Sequence, residues 1–295
     1  MDYTTRKQQL LDELAKLTGL KITIDEDGQQ DAAHTLSVLD ALCEPYRKQQ
    51  DAAKFFLSLI KGDLSENQII SGLERYHTSD ESPCAVFLVY FPQGCDETSS
   101  AVLSNLSGPL DHVVAVDDEH MALLRIFAQA IGHDRMQEIA ASIADTLLAE
   151  AMVPVHVSYD ACMEKLTEIP GSYQRVTTTE FCGLLFASSE AVHDYHNLGL
   201  GKVVVKLSYD DCSEYINEHL GNFRFATLDS ELSTTINTFF DTGLSMANTA
   251  RRLFIHRNTL VYRLEKFEKL SGLDLRDFND AVTARIAMLM ELYLG

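Results

Sequence analysis

Apolar residues recur at helical spacing in the first quarter of the chain. This spacing predicts three helices, over residues 4–18, 33–60 and 65–76. Gly19 is placed to end the first helix, and Ser65 with Gln68 three residues later is typical of a capping box at the start of the third. Between the first two helices, a short extended segment with a turn at Asp27-Gly28 is predicted. The N-terminal part is therefore expected to be helical with one short strand.

In the middle of the chain, apolar runs of strand length alternate with helical patterns. The predicted strands are residues 84–91, 112–116, 121–127, 153–159 and 202–207, and the predicted helices are 98–106, 134–150 and 172–188. Asp117-Asp118 would form a two-residue hairpin turn, because aspartate tolerates the left-handed backbone of such turns. The run at 84–91 is apolar throughout, which predicts a central strand. The order β-α-β-β-α-β is that of ferredoxin-like domains, and it is found also in nucleotide cyclase domains.

The last quarter of the chain contains two amphipathic segments joined by a tight turn. In the first segment, Ala247, Ala250 and Leu253 recur at three-residue spacing, so they are expected to share one face of a helix. Ser245 precedes them and has the side chain of an N-cap residue. Small alanines would let a following helix cross closely, as a helix-turn-helix requires.

The second segment is longer and has a basic and polar outer face. Leu260, Leu264 and Phe267 form the apolar stripe of a helix. The residues that this stripe leaves exposed are Arg257, Asn258, Thr259, Tyr262, Arg263, Lys266 and Lys269. Arg, Asn and Thr therefore occupy the first turn, where a recognition helix meets base edges in the major groove. The pattern predicts a DNA-binding helix-turn-helix.

A basic helical face can also be ordinary solvated surface, and the distribution of charge bears on this choice. Residues 247–270 carry six Lys and Arg against two Glu, a net charge of +4. Residues 1–230 carry 16 Lys and Arg against 36 Asp and Glu, and the whole chain has a formal net charge of −20. Because an acidic body repels DNA, the one cationic segment should set the docking orientation. The charge pattern favours DNA binding.

The composition is that of an ordinary globular protein. Its 295 residues are enough for two domains, and 46% of them are hydrophobic. No apolar run reaches the 18 residues or so that a membrane span needs, and the N-terminus has no signal-peptide pattern. The six cysteines form no CxxC pair and no zinc-spaced cluster, so we expect reduced, buried thiols. The sequence predicts a cytoplasmic protein without a membrane segment and without a cofactor.

Two groups of residues resemble parts of a metal site and of a phosphate-binding loop, but both patterns are incomplete. His193 and His196 could present two metal ligands on one helical face beside Asp194, but no third ligand follows at a suitable spacing. Gly199 and Gly201 match no phosphate-binding loop. We therefore expect neither a metal site nor a phosphate loop.

The segment that follows residue 252 closely resembles the C-terminal helix-turn-helix domain of PucR/CdaR-type bacterial transcription regulators. The residues that carry the resemblance at the start of the second helix are His256, Arg257, Asn258, Thr259, Leu260, Tyr262, Arg263 and Leu264, and those of the turn after it are Ser271, Gly272, Leu273, Asp274 and Leu275. The likeness covers about residues 232–294. It implies a bacterial regulator that binds double-stranded DNA through this segment.

A weaker resemblance, at residues 55–69 and 196–204, is to the degenerate GGDEF-like domain that often precedes this DNA-binding domain. Active diguanylate cyclases need an aspartate at the end of the first strand to hold Mg²⁺, and a glycine-containing hairpin at the GTP phosphates. Here residues 89–92 contain no carboxylate and residues 116–120 contain no glycine. The three carboxylates of that hairpin are expected to be a solvated tip. The resemblance therefore implies an inactive domain.

These observations predict an α+β protein that is a regulator and no enzyme. The expected domains are an N-terminal extension at 1–48, a non-catalytic GGDEF-like, ferredoxin-like domain at 49–225 and an all-α helix-turn-helix domain at 226–295. A homodimer is expected because one small helix-turn-helix binds weakly. A small-molecule metabolite, which the sequence does not identify, would control it. The alternative is a non-catalytic nucleotide- or ligand-binding signalling protein whose C-terminal helices contact other proteins.

The expected DNA contacts fall into two groups. Phosphates would be contacted by Arg251, Arg252, Lys266 and the hydroxyl of Tyr262. Base edges would be contacted by Arg257, Asn258, Thr259 and Arg263. His256, at the turn into the second helix, would cap that helix, pack against it or contact a phosphate.

Overall fold

The structure, a computed structural model, describes residues 3–18, 20, 22–24 and 32–295. It divides into two compact units, Met1–Val176 and Thr177–Gly295. Both helices and strands occur in it, so the expected mixed α+β class is confirmed. The predicted helix end at Gly19 and the predicted turn at Asp27-Gly28 lie outside the described residues.

The first unit contains five helices and four strands in its described part. The helices are α1 (Tyr3–Thr18), α2 (Ala32–Lys61), α3 (Glu66–Arg75), α4 (Glu97–Asn105) and α5 (His133–Thr146), and the strands are β1 (Cys84–Tyr90), β2 (His112–Ala115), β3 (His120–Ile126) and β4 (His156–Tyr159). One π-helical turn, Leu147–Ala151, continues α5. The next helix, α6 (Ile169–Phe186), contains the division between the units.

The second unit is almost entirely helical. Its elements after α6 are β5 (Val192–Asp194), α7 (Gly201–Val204), α8 (Tyr209–Leu220), α9 (Ser230–Asp241), α10 (Met246–Arg252), α11 (Arg257–Ser271) and α12 (Phe278–Leu294). The helices predicted from the sequence are present to within a few residues at their ends, whereas β5, α8 and α9 were not predicted. The domain boundaries expected at residues 48 and 225 stay predictions.

The N-terminal helices α1 and α2 pack together through a small apolar cluster of Leu10, Leu14, Leu39 and Cys43. Arg47 of α2 reinforces the pair, because its guanidinium donates to both carboxylate oxygens of Glu13 at 2.6 and 2.7 Å. These hydrogen bonds stabilise the charged form of Glu13 and hold the pKa of that carboxyl below its usual value. Farther along, the capping box of Ser65 and Gln68 starts α3 as the sequence predicts.

In the sheet of the first unit, β1 lies between β3 and β4, and β2 lies beyond β3. All three pairings are antiparallel, with Phe87 of β1 opposite Leu123 of β3 and Tyr159 of β4. Every residue of β1 except Tyr90 is buried. The prediction that this apolar run forms a central strand is therefore confirmed.

The predicted two-residue hairpin turn is wrong. Residues 117–119 form a three-residue turn between β2 and β3, closed by a hydrogen bond from the Val116 amide to the His120 carbonyl at 2.9 Å. Asp117 holds this longer turn, because its carboxylate accepts from the Glu119 amide at 2.9 Å and lies 2.7 Å from Nδ1 of His120. Two adjacent aspartates suggest a turn but do not fix its length.

The strand predicted at 202–207 is also wrong, because this segment is helical. It forms α7 and a following turn, with a hydrogen bond from the Val205 amide to the Gly201 carbonyl. Adjacent valines favour strands through their branched side chains. Here only Gly201 and Val204 are buried, three residues apart, and one helical turn puts both on the same face. Tertiary burial overrides the local preference.

Helix α12 belongs to two apolar clusters of the second unit. Its first half contributes Ala281 and Ala284 to a cluster with α9 and α11. Its second half contributes Ala287, Leu289 and Met290 to a cluster that also contains Val204, Cys212 and Ile216. One helix therefore covers apolar faces on both sides of it. Over the described residues, no helix is long and apolar enough to cross a membrane.

The His112 ring is a half-buried titrating group at the start of β2. It stacks on Phe56 with ring centroids 3.5 Å apart, and burial lowers its pKa from 6.5 to about 4. Because the unfolded chain binds this proton more readily, the stability that neutral His112 contributes is present above pH 6.5 and is lost as the pH falls towards 4.

We expect His112→Phe, which keeps an aromatic ring on Phe56 without the titrating group, to gain thermal stability relative to the wild type as the pH falls from 7 to 4. Thermal midpoints of both proteins across this range measure the effect. If the difference between the two thermal midpoints stays constant from pH 7 to pH 4, the protonation of His112 does not limit stability in acid.

Candidate nucleic-acid interface

Helix α11 is held in place by the apolar stripe that the sequence predicts. Leu260, Leu264 and Phe267 are at most 1% exposed. They share one cluster with Leu232, Ile236 and Phe239 of α9 and with Ala281 and Ala284 of α12. Because this face of α11 is buried, the opposite face lies at the surface.

Helix α10 is anchored through a polar residue. Thr249 is fully buried, and its hydroxyl bonds to the Ser245 carbonyl at 2.7 Å and to the Thr242 hydroxyl at 2.6 Å. The predicted buried face of this helix is therefore only partly correct, since Ala250 is half-buried but Ala247 is exposed. A threonine can be buried when its hydroxyl is hydrogen-bonded, and a search for apolar positions misses it.

The start of each helix is capped as the sequence suggests. The Ser245 hydroxyl accepts from the Asn248 amide at 3.4 Å, at the start of α10. At the start of α11, Nδ1 of His256 accepts from the Asn258 amide at 3.2 Å. Of the roles considered for His256, the structure therefore shows capping.

The turn between α10 and α11 contains two apolar residues with opposite environments. The Phe254 amide donates to the Arg251 carbonyl at 3.2 Å, and the Ile255 amide donates to the Ala250 carbonyl at 3.0 Å. Ile255 packs against the apolar cluster formed by α9, α11 and α12, which we call the helix-turn-helix cluster. Phe254, in contrast, is 95% exposed and has a φ of +54°. Neither residue stands out in the sequence, and only the alternation of side-chain direction in the turn could have distinguished them.

The exposed surface at the end of α10 and the start of α11 contains five of the expected DNA-contacting residues. They are Arg251, Arg252, Arg257, Asn258 and Thr259, and all are exposed. Among the described residues, none of the three arginine side chains makes a hydrogen bond or an ion pair. Tyr262, one turn farther along α11, is 66% exposed. We call the surface that carries these guanidinium groups, at the end of α10 and the start of α11, the positive surface.

Arg263 and Lys266 differ from those arginines because each is bonded to an acidic residue near the start of α9. The Arg263 side chain is only 15% exposed, and its guanidinium donates to the Thr235 hydroxyl at 3.0 Å and to the Glu231 carboxylate. Lys266 lies 2.7 Å from Asp229, which raises the pKa of the lysine and lowers that of the aspartate. Both cations therefore attach α11 to α9.

The C-terminal end of α11 has the expected turn. Gly272 has a φ of +79°, and its amide donates to the Glu268 carbonyl at 2.8 Å. Arg276 then bonds to Asp274 at 2.7 Å and to Glu268 at 2.8 Å. The turn is thereby tied back to α11, and Leu275 is buried beneath it.

The described residues contain no candidate metal-binding site. Over residues 3–18, 20, 22–24 and 32–295, no three His, Cys, Asp or Glu side chains lie close enough together to hold a metal ion. The positive surface at the start of α11 is the candidate functional site because it contains five of the residues that the sequence predicts to contact DNA.

Comparison with known proteins shows what this region is similar to. Residues 232–290 match the PucR C-terminal helix-turn-helix domain. The Purine catabolism regulatory protein of Bacillus subtilis (strain 168) is 29% identical over 129 residues, which are 43% of this chain and 24% of that protein. The Carbohydrate diacid regulator of Escherichia coli (strain K12) is 28% identical over 123 residues, which are 42% of this chain and 32% of that protein.

A longer similarity extends to the Proline-responsive transcriptional activator PutR of Bacillus subtilis (strain 168), which is 21% identical over 229 residues, 72% of this chain and 55% of that protein. The chain thus spans about a quarter to about half of these three relatives. The crystal structure of the Regulator of Polyketide Synthase Expression from Bifidobacterium adolescentis covers 96% of this chain, and this chain covers 97% of it, at 15% identity. Its TM-score of 0.39 is too low to support an argument about the fold.

The matched segment contains α10, α11 and nearly all of α9 and α12. For this part of the chain, the resemblance to PucR/CdaR-type regulators is therefore confirmed.

Proposed function

We propose that this protein is a sequence-specific DNA-binding transcription regulator. The observation that carries the proposal is the positive surface at the start of α11, which combines three unpaired arginines with Asn258 and Thr259 within a PucR-type helix-turn-helix domain. In such domains the first turn of the second helix enters the major groove. Arginine can donate two hydrogen bonds to guanine, and asparagine can pair with adenine.

Within this proposal, Arg257, Asn258 and Thr259 contact base edges. Arg251 and Arg252 lie in the last turn of α10, beside the start of α11, and contact phosphates. Tyr262 donates its hydroxyl to a phosphate. Lys266 reaches a phosphate only by exchanging its bond to Asp229, so its contribution to binding should be smaller than that of Arg252.

Two copies of the protein would bind two half-sites of one operator. A single helix-turn-helix of this size has a small interface, and pairing raises affinity through the effective concentration of the second copy. The acidic remainder of the chain strengthens the need for a second contact, because its net charge of −20 opposes DNA binding as a whole.

Control by a small-molecule metabolite is part of the same proposal. The names of three relatives refer to purine catabolism, carbohydrate diacids and proline, and each relative covers only part of this chain. These names do not identify the metabolite for this protein. Native mass spectrometry of the purified full-length protein would detect a bound small molecule and give its mass.

The most direct test is a selection of sequences from random duplex DNA with the full-length protein. We expect enrichment of one motif, repeated as two half-sites, with an affinity that falls steeply as the salt concentration rises. Retention of all duplexes alike, or of none, would contradict sequence-specific regulation and would favour the alternative in which the C-terminal helices contact another protein.

For the selected operator, we expect Arg257→Ala and Asn258→Ala to lose discrimination at individual base pairs by about 1–3 kcal/mol each, because each removes a contact to a base edge. Arg252→Ala should weaken all duplexes by a similar factor and reduce the salt dependence. Competition titrations with single-base variants of the operator measure both effects. An unchanged base preference in both first-turn variants would show that another surface contacts the bases.

Arg263 is proposed to act mainly through the fold, since its guanidinium is bonded to Thr235 and Glu231. We expect Arg263→Ala to lower the free energy of unfolding of the second unit by about 1–3 kcal/mol, because it removes hydrogen bonds to a charged group. Arg257→Ala is the matched control, since that side chain is exposed and unpaired among the described residues. Equal thermal midpoints for both variants would argue against the proposed role of Arg263.

The middle part of the chain is proposed to be a GGDEF-like domain without catalytic activity. Its strand order β2-β3-β1-β4 with two intervening helices is consistent with that assignment. After β1 the chain continues with Phe91 and Pro92, which offer no carboxylate for Mg²⁺. At the hairpin tip, Asp117 is bonded to the Glu119 amide and to His120.

We therefore expect no cyclic dinucleotide when the protein is incubated with GTP and Mg²⁺ or Mn²⁺. Chromatography of the reaction mixture measures the amount of cyclic dinucleotide, which is compared with the amount of protein added. Product in excess of enzyme that disappears in Asp118→Ala or Glu119→Ala would reverse this assignment.

A further inference from the structure

Phe254 has an environment that folding of the second unit does not explain. It is 95% exposed and lies in the turn between α10 and α11 with a left-handed φ of +54°. Residues with a β-carbon avoid this conformation, which glycine adopts without strain. An exposed phenyl ring also gains nothing from burial. Both the backbone and the side chain at this position are therefore unfavourable in the isolated protein.

The other turns of the second unit show what folding alone selects. Left-handed residues after α8, α9 and α11 are glycines, namely Gly221, Gly243 and Gly272. Leu244 is also left-handed, with a φ of +60°, but it packs against the helix-turn-helix cluster. Phe254 differs from the glycines by its side chain and from Leu244 by its exposure. In the first unit, Met152 likewise combines a left-handed φ of +58° with 83% exposure, so this combination alone assigns no function and the neighbours of Phe254 must decide.

The neighbours of Phe254 in the chain indicate what kind of partner would cover its ring. It precedes the His256 cap by two residues and Arg257 by three, and Arg251 and Arg252 on its other side are exposed and unpaired among the described residues. The ring therefore adjoins the positive surface that is proposed to bind DNA. A partner that is attracted by these arginines and lies at the start of α11 would cover it.

In the major groove, the apolar group that projects from the base edges is the C5-methyl group of thymine, and phenylalanine is among the side chains that contact it. We propose that Phe254 packs against a thymine methyl group at the edge of each half-site and is a specificity-determining residue for the operator. This inference rests on the proposed DNA-binding function and adds a base contact that involves no hydrogen bond.

Methyl groups can be removed from the operator one at a time by replacing each thymine with deoxyuridine, which leaves every hydrogen-bonding group in place. With the full-length protein, we expect one such replacement in each half-site to lower affinity about 3–10-fold, the effect of losing one apolar contact. Phe254→Ala should bind the thymine and deoxyuridine operators equally well. Phe254→Leu, which keeps an apolar side chain, should retain part of the preference for thymine.

Two controls separate this role from an effect on folding. Phe254→Gly should lose the preference for thymine while its thermal midpoint equals or exceeds that of the wild type, because glycine suits the left-handed turn. Phe278→Ala is the matched variant, since Phe278 is 70% exposed but follows the other end of the 15-residue α11. This variant should keep the wild-type response to deoxyuridine.

The possible failures are distinguishable. Tight, salt-dependent and sequence-specific binding that no deoxyuridine replacement weakens would overturn the role of Phe254 and leave the proposed function intact. A methyl preference that persists in Phe254→Ala would assign the contact to another residue. A change in the DNA-free sedimentation of Phe254→Gly would mean that the ring contacts a second copy of the chain instead. Failure to bind any duplex specifically would remove both proposals.

Discussion

Burial of one face of α11 is the constraint on which the organisation of the second unit depends. Helix α11 is held in one orientation about its axis by Leu260, Leu264 and Phe267, which are buried in a cluster with side chains of α9 and α12. Close packing makes such an arrangement resistant to small rotations. The direction in which Arg257, Asn258 and Thr259 face follows from this burial, although none of them takes part in it.

Ion pairing then decides where the positive charge of this surface is available. The six cations of residues 247–270 are spread over both helices in the sequence, but Arg263 and Lys266 are bonded to Glu231 and Asp229 of the α9 region. The arginines at the end of α10 and the start of α11 keep their charge free of partners among the described residues. Three of the four remaining cations therefore lie where α10 ends and α11 begins, and the fourth, Lys269, lies in the last turn of α11. Attraction for a polyanion is thus strongest at the start of α11, which is an orienting effect as well as an attractive one.

The sequence predicts most of this arrangement because its signals are local or periodic. The buried stripe of α11, the cap at Ser245 and the central position of β1 each follow from spacing within one element. Contacts between elements have no such signal. Nothing near Arg263 reveals that Glu231, 32 residues earlier, pairs with it. Thr249 is missed because it is polar, and residues 202–207 are mistaken for a strand because burial by α12 outweighs the preference of adjacent valines.

The double role of α12 bears on how this part of the chain can be divided. Its first half completes the core beneath α9 and α11, and its second half covers Cys212 and Ile216 of α8 together with Val204 of α7. A fragment that begins after α8 would leave Ala287, Leu289 and Met290 facing water. The smallest portion that keeps every apolar face of α12 covered therefore begins upstream of α7. The segment that matches the PucR helix-turn-helix domain, residues 232–290, is therefore shorter than the portion that keeps α12 covered.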